Sequence, residues 1–320
     1  MWLASGGPLF PTTPQMKRPP RIVIVGVAGR LGQALEARFS RDATVLGLAR
    51  PEIDLSSPQS IRHALEPLKF DHLILPAAMT AVDACESNQD QAYAVNAVAP
   101  GVIAKICAEK KAHMTHFSTD YVFDGKKDGA YTEDDEVRPL GVYGDSKLKG
   151  EQAVLEASPY HLVVRVSWLY GPGKAAFPEW IVDQACSKPA LELPGDKTGS
   201  PVSSTDVAEL LLPLLFGSSG EPASGIYHLC NSGACTHREW GQACLDLAAE
   251  IGAPLETRTI AANTLADIKA FIAKRPPNSV MSTAKYASFT GITPRPWQEA
   301  LREHFASSPT LQKFQAAACG

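Results

Sequence analysis

The stretch that most restricts the fold is Arg21-Ile22-Val23-Ile24-Val25, followed without a break by Gly26-Val27-Ala28-Gly29-Arg30-Leu31-Gly32. A continuous β-branched run suits a strand buried on both faces, as in a parallel sheet. Residues Gln33 to Phe39 then read as helix. Strand, glycine turn and helix in that order is the context a dinucleotide fingerprint needs. The glycines permit a tight turn and a close approach of backbone to pyrophosphate at a helix N-terminus. Gly26, Ala28, Gly29, Arg30, Leu31 and Gly32 are therefore candidate cofactor contacts. The competing reading is a purely structural turn.

The alternation continues downstream. Thr44 to Ala49 reads as the second strand. Its end is the place for a carboxylate that holds a ribose 2′-OH, but Ala49 and Arg50 stand there. An arginine suits a 2′-phosphate, so NADP(H) is the expected cofactor, with NAD(H) as the alternative. Glu52 is the competing group, since a small loop shift would bring its carboxylate to the ribose. Asp54, in Ile53-Asp54-Leu55, is placed to meet the adenine. Ser57 caps a helix that has Pro58 at its first position. His72 to Leu75 is the next strand and ends at Pro76-Ala77-Ala78, small residues that allow close approach to a cofactor. Ala81 to Cys107 gives two helical segments around Asn96-Ala97. Asp83 and Glu86 read as exposed acids near a helix start. Met114 to Ser118 is a strand in which His116 reads as a packing residue. Thr119-Asp120-Tyr121 then falls at the carboxyl end, where open α/β sheets carry their sites.

Tyr143-Gly144-Asp145-Ser146-Lys147 opens a run of good helix formers. Positions i and i+4 share a face, so the Tyr143 hydroxyl and the Lys147 ammonium converge. A free tyrosine has a pKa of about 10, and a nearby cation moves it down. Reaching roughly 7 takes about 4 kcal/mol, at about 1.36 kcal/mol per unit. One ammonium and one charged nicotinamide in a partly dry cleft are enough for that. The bland alternative is a solvated surface pair.

Leu162 to Val166 is another buried strand, ending at Ser167-Trp168-Leu169-Tyr170. After it, prolines at 172, 178, 189, 194 and 201 break the rhythm into short segments. The fold class is α/β: a doubly wound Rossmann-type parallel sheet with a smaller C-terminal substrate-binding lobe. Residues 1–20 read as a tail, with Met16 as an alternative start. Residues 21–170, with returning segments at about 204–230, form the NAD(P)-binding domain. About 171–203 and 231–307 form the lobe, and 308–320 a second tail. A net charge of −4 with no basic block argues against nucleic acid. No apolar run approaches the ~18 residues of a membrane span. Seven cysteines without a Cys-x-x-Cys read as reduced thiols of a cytoplasmic protein, with neither a disulfide frame nor a metal site.

Over about residues 21–306 the chain resembles an extended short-chain dehydrogenase/reductase, and within that group the dTDP-4-dehydrorhamnose reductase family. The glycine turn has the short-chain spacing. The other stretches that carry the resemblance begin with Ala77 to Asp83 plus Glu86, Val95-Asn96-Ala97, and Ser118-Thr119-Asp120-Tyr121-Val122-Phe123-Asp124-Gly125. They continue with Tyr143 to Leu148, Arg165 to Tyr170, Gly225 to Leu229, Arg275-Pro276-Pro277-Asn278-Ser279, and Pro296-Trp297. The resemblance implies a catalytic set of Thr119, Tyr143 and Lys147. It implies sugar contacts from Asp120, Tyr121, Trp168 and Arg275. It also implies cofactor contacts from Leu55, Ala77, Ala78, Thr80 and Asn96, besides Tyr143 and Lys147. NAD(P)H would reduce the 4-keto carbon of a deoxysugar nucleotide. Tyr143 would donate the proton, Thr119 would hydrogen-bond the same oxygen, and Lys147 would hold the nicotinamide ribose. Met79, Ala176, Lys197 and Val202 depart from the family pattern. The runner-up enzyme reading is another sugar-nucleotide epimerase or dehydratase; Tyr121 stands where related dehydratases carry a glutamate, which argues against a dehydratase. A non-catalytic NADP-binding subunit resembling the methionine adenosyltransferase β subunit is the alternative of a different class. A homodimer is left open.

Overall fold

Alternation within the first strand sets the layers. In a computed structural model, which describes residues 18–217 and 221–318, β1 (Arg21–Val25) sends Ile22 and Ile24 into one apolar core and Val23 and Val25 into another. That is the period of two expected of a strand covered on both faces. Five more strands join it: β2 (Thr44–Leu48), β3 (His72–Leu75), β4 (His113–Thr119), β5 (Leu162–Val166) and β6 (Gly225–His228). The sheet is parallel throughout, in the order β2-β1-β3-β4-β5-β6. The order reverses between β1 and β3, and a crevice opens at the carboxyl ends of strands at such a point.

The helices in chain order are α1 (Arg30–Phe39), α2 (Pro58–Leu65), α3 (Val82–Ser87), α4 (Gln89–Tyr93), α5 (Ala99–Glu109), α6 (Val142–Ala157), α7 (Phe177–Ser187), α8 (Ser204–Phe216), α9 (His237–Glu250), α10 (Ala284–Thr290), α11 (Trp297–Ser307) and α12 (Pro309–Ala318). A π-helical turn, Ala94–Val98, joins α4 to α5. α1 and α8 pack together over the Ile22 face. α2, α5 and α6 cover the Val23 face. The expected cap of α2 is present: the Ser57 hydroxyl accepts the Ser60 N–H. A third core gathers Tyr170, Ile181, Trp240, Leu245, Leu301 and Phe305, from α7, α9, α11 and the segment after β5.

One tail expectation changes. Residues 308–320 read as a tail, yet α12 occupies Pro309–Ala318. Leu311 and Phe314, three apart and so on one helix face, pack into the third core. The N-terminal tail lies outside the described residues as far as residue 17. Arg18, at its end, is held by Asp71 through two bonds of 2.7 and 2.8 Å.

Candidate active site

One cleft of about 890 Å³ runs along the carboxyl ends of the strands. Gly26, Ala28, Gly29, Arg30, Leu31 and Gly32 form one end of it. Gly26 has φ 103°, a conformation other residues rarely adopt. A Cβ on Gly32 would come within 2.7 Å of the Val27 Cα and closer still to the Gly26 carbonyl oxygen. These glycines are therefore required by the turn. The first-turn N–H groups of α1 have no helical acceptor, so they remain available to an anion. The donor set and the narrow glycine turn fit a dinucleotide pyrophosphate. Ala77 and Ala78 continue the wall after β3, with Thr80 beyond them. At the adenosine end stand Arg50, Asp54 and Leu55. Arg50 is exposed, and Glu52 does not line the cleft. Asp54 accepts the N–H and hydroxyl of Ser56 at 2.9 and 2.7 Å.

At the other end β4 delivers Thr119, Asp120 and Tyr121, and α6 delivers Tyr143 and Lys147. Tyr143 keeps part of its surface open to the cleft. Its hydroxyl is hydrogen-bonded with Thr119, and its ring meets Tyr121 edge-on at 5.5 Å. Burial is the chief cause holding the Tyr143 hydroxyl well above the usual tyrosine range; the Thr119 bond opposes it and the Asp120 charge adds to it. The Lys147 ammonium is 2% exposed and donates to the Phe117 carbonyl at 2.6 Å, with His116 Nε2 at 3.3 Å. Burial pushes Lys147 down to about 7. Lys147 is not among the influences on Tyr143 in this arrangement. A buried ammonium needs acceptors, and it finds them on β4. His116, fully buried and held well below its usual pKa, is a neutral partner of Lys147.

Several acids have roles that local sequence did not reveal. Glu86 accepts the Val142 N–H at 2.7 Å and so caps α6, the helix that carries Tyr143. Asp83 is no solvated acid. It accepts the N–H groups of Ile272 and Ala273, both at 2.9 Å, and pairs with Arg275 at 2.6 and 3.1 Å. The Arg275 guanidinium, which also stacks 3.5 Å over Phe271, is committed there and does not line the cleft. Asn96 does not line it either. Its side chain brackets the Met79 backbone, accepting the N–H at 2.8 Å and donating to the carbonyl at 3.0 Å. Both were expected as ligand contacts. They brace the walls instead. Glu151 and Arg165, each 2% exposed, form a bidentate pair at 2.7 and 2.9 Å that ties α6 to β5.

The structure adds residues that the sequence reading passed over. Ser167 lines the cleft and donates to Asp120 at 2.8 Å. Its place at the carboxyl end of β5 was the available signal. Lys174 lines the mouth, on a loop held by Arg30 through the Gly171 and Ala175 carbonyls. Trp168 lines the cleft at φ 41°, stacked on Trp240 at 5.3 Å. Of the four departures from the family pattern, Met79 lines the cleft. Val202 is core, Ala176 opens α7, and Lys197 is buried behind Tyr121 and Trp168. Among the described residues, no helix is long and apolar enough to cross a membrane, and no cluster of His, Cys, Asp and Glu could hold a metal ion.

Comparison with known proteins gives this geometry a family. A family model described as "RmlD substrate binding domain" matches residues 20–309. A dTDP-4-dehydrorhamnose reductase of Mycobacterium tuberculosis is 37% identical over 303 residues, covering 91% of this chain and 94% of its own. The spore coat polysaccharide biosynthesis protein SpsK of Bacillus subtilis is 34% identical over 285 residues, covering 89% and 96%. The crystal structure of dTDP-4-dehydrorhamnose reductase from Bacillus anthracis in complex with NADP aligns with a TM-score of 0.83 at 25% identity, over 90% of this chain and 99% of that one. With a match of that extent, the chain belongs to the RmlD substrate binding domain family, that of the dTDP-4-dehydrorhamnose reductases.

Proposed function

We propose that the protein reduces the 4-keto group of a deoxysugar nucleotide, with NADPH as its preferred reductant. The observation that carries this reading is the meeting of Tyr143 and Thr119 at one end of a cleft whose other end is the glycine turn. NADPH, when bound along the cleft, would supply the hydride for the carbonyl carbon. Tyr143 supplies the proton to the oxygen as it becomes an alkoxide. A high tyrosine pKa suits this direction, because the residue must arrive protonated. Thr119 orients the Tyr143 hydroxyl. Thr119 lies between the Tyr143 hydroxyl and Asp120, whose carboxylate is 3.0 Å from its own hydroxyl. Lys147, held beneath by the Phe117 carbonyl, is the cation that would meet the nicotinamide ribose. Asp120, Tyr121 and Trp168 would face the sugar. Arg50 would take the 2′-phosphate, since it lines the adenosine end and Glu52 does not. The free cysteines at 85, 107, 186, 230, 235 and 244 fit a cytoplasmic location.

NADPH oxidation, followed at the nicotinamide absorbance with a panel of nucleotide-linked 4-keto-deoxysugars, tests the reading. Turnover with a dTDP-linked member is the expected result. NADPH binding without turnover on any member would favour the non-catalytic subunit.

A further inference from the structure

A segment of the C-terminal lobe reaches back to the nucleotide-binding half of the molecule. Both of its feet stand on residues 192–199. At the front foot, Ala261–Asn263 pairs in parallel with Glu192–Pro194, and the Leu265 N–H donates to the Asp196 carboxylate at 2.8 Å. At the rear foot, the Thr198 N–H donates to the Pro277 carbonyl at 2.7 Å and the Ser279 N–H to the Thr198 carbonyl at 3.0 Å. Residues 264–276 form a strap between the feet. Its tip crosses to Asp83 on α3, which accepts the Ile272 and Ala273 N–H groups and both Nη groups of Arg275. Among the described residues, the hydrogen bonds between this strap and the first 170 residues all end on Asp83.

The strap joins the two walls of the sugar end. On one side Val82 lines the cleft, and Asp83 follows it directly. On the other side the feet stand behind Trp168 and Tyr121, whose rings line the cleft. Lys197 lies 5.7 and 5.2 Å from those two ring centres, and Gly199 is packed against the Trp168 indole. The tip also lies at the start of α6: a Cβ on Gly141 would be 4.0 Å from the Ala273 Cβ. Glu86, three residues after Asp83 and so on the same helix face, caps α6 through the Val142 N–H. One short helix thus fastens the lobe with one carboxylate and the Tyr143 helix with the other.

The tip is built to move as one piece. Arg275 donates to the Ala273 carbonyl at 2.7 Å and stacks on Phe271, and both contacts lie within the strap. Ile272, at its end, is 70% exposed, so little apolar burial holds it down. What holds it is a set of charge-assisted bonds to one carboxylate. We propose that Asp83 is a positioning residue for the keto-sugar: by latching the strap, it keeps the wall of Trp168 and Tyr121 at a fixed span from α3 and from the helix that carries Tyr143. The proposal rests on the reductase reading, in which those two rings face the sugar.

The test compares wild type with Asp83→Ala and Asp83→Asn in kcat, KM, NADPH affinity and the rate of trypsin cleavage after Lys274. That lysine is exposed and sits between two of the bonded residues. In Asp83→Ala, KM for the keto-sugar nucleotide should rise about tenfold, as when about a tenth of the molecules keep the strap closed. Cleavage should quicken by at least about tenfold, since proteolysis follows the open population. Saturating kcat and NADPH affinity should change little, because Glu86 still caps α6 and the glycine turn lies at the other end. Asp83→Asn keeps an oxygen for the two backbone N–H groups but loses the charge, so it should fall between Asp83→Ala and wild type. Unchanged cleavage in Asp83→Ala would show that Asp83 does not hold the strap. Faster cleavage at an unchanged KM would show that the strap does not shape the sugar end. Either result overturns the proposal, and so does a parallel loss of kcat and NADPH affinity, the mark of a general structural role. If wild type turned over no keto-sugar, the reductase reading would fall while the cleavage rates still decided the latch.

Discussion

Gly199 is where a single methyl group probes how tightly the substrate wall is built. A Cβ added there would lie 2.6 Å from Cζ2 and 2.8 Å from Nε1 of Trp168, and closer still to Cε2. The indole has no easy retreat. Trp240 is stacked behind it at 5.3 Å, His237 meets it edge-on at 5.2 Å, and its backbone already sits at φ 41°. Overpacking a closed site of this kind costs about 1–3 kcal/mol. Gly199→Ala should therefore lower the thermal midpoint by about 2–4 °C for each kcal/mol, at the low end of that range for a chain of this length. A ring tilted into the cleft would relieve the clash and would disturb the proposed sugar contact. A loss of roughly 1.4 kcal/mol there raises KM for the keto-sugar nucleotide about tenfold. The glycine turn lies at the other end, so NADPH affinity should not move. Differential scanning fluorimetry, NADPH titration and steady-state kinetics on the purified variant separate these effects. A lower midpoint with an unchanged KM would remove Trp168 from the sugar site. An unchanged midpoint would show slack that the packing distances do not contain.

Three other outcomes are expected. Tyr143→Phe should lose about two to four decades of kcat, the usual worth of a general acid, at unchanged NADPH affinity; turnover close to wild type would take Tyr143 out of the reaction. Arg50→Ala should abolish a preference for NADPH over NADH of about tenfold in kcat/KM; a charge-assisted bond is worth roughly 1.5–3 kcal/mol, and exposure trims it. Equal use of both cofactors by wild type, or an unchanged preference in the variant, would show that Arg50 does not read the phosphate. His72 and His113, with rings 5.7 Å apart, are each pulled down by burial to about 4. The unfolded chain takes up these protons near pH 6.5, so stability is full above that value and falls as pH drops toward about 4, by up to about 3 kcal/mol per histidine. Urea midpoints that stay flat between about pH 7.5 and about pH 4.5 would contradict this.

What was readable in the sequence was local. The glycine turn announced itself because strand, turn and helix are contiguous, and Tyr143 and Lys147 because four residues make one helical step. Asp83 and Glu86 were read as solvated acids because their partners are remote: Ala273 is 190 residues from Asp83, and Val142 is 56 from Glu86. Arg275 and Asn96 were placed in the ligand site by resemblance, yet each is consumed by a neighbour that only the folded chain brings within reach. Lys147 was expected to lower the tyrosine. Nothing in the sequence showed that burial would turn it to the Phe117 carbonyl. Lys197 stood out in the sequence only as a departure from the family pattern. The burial of Lys197 follows from rings supplied by Tyr121 and Trp168, far upstream.

The residues that hold Tyr143 and Lys147 in place are consecutive. His116 and Phe117 hold Lys147, Ser118 donates to Glu151, and Thr119 meets Tyr143. All four belong to β4, which is fixed on either side by β3 and β5. The walls that would choose a sugar come from other segments, before and after this strand. In the laboratory, the strand–helix pair of β4 and α6 is the unit to leave alone, and the segments from Trp168 onward are where a library aimed at new substrates belongs.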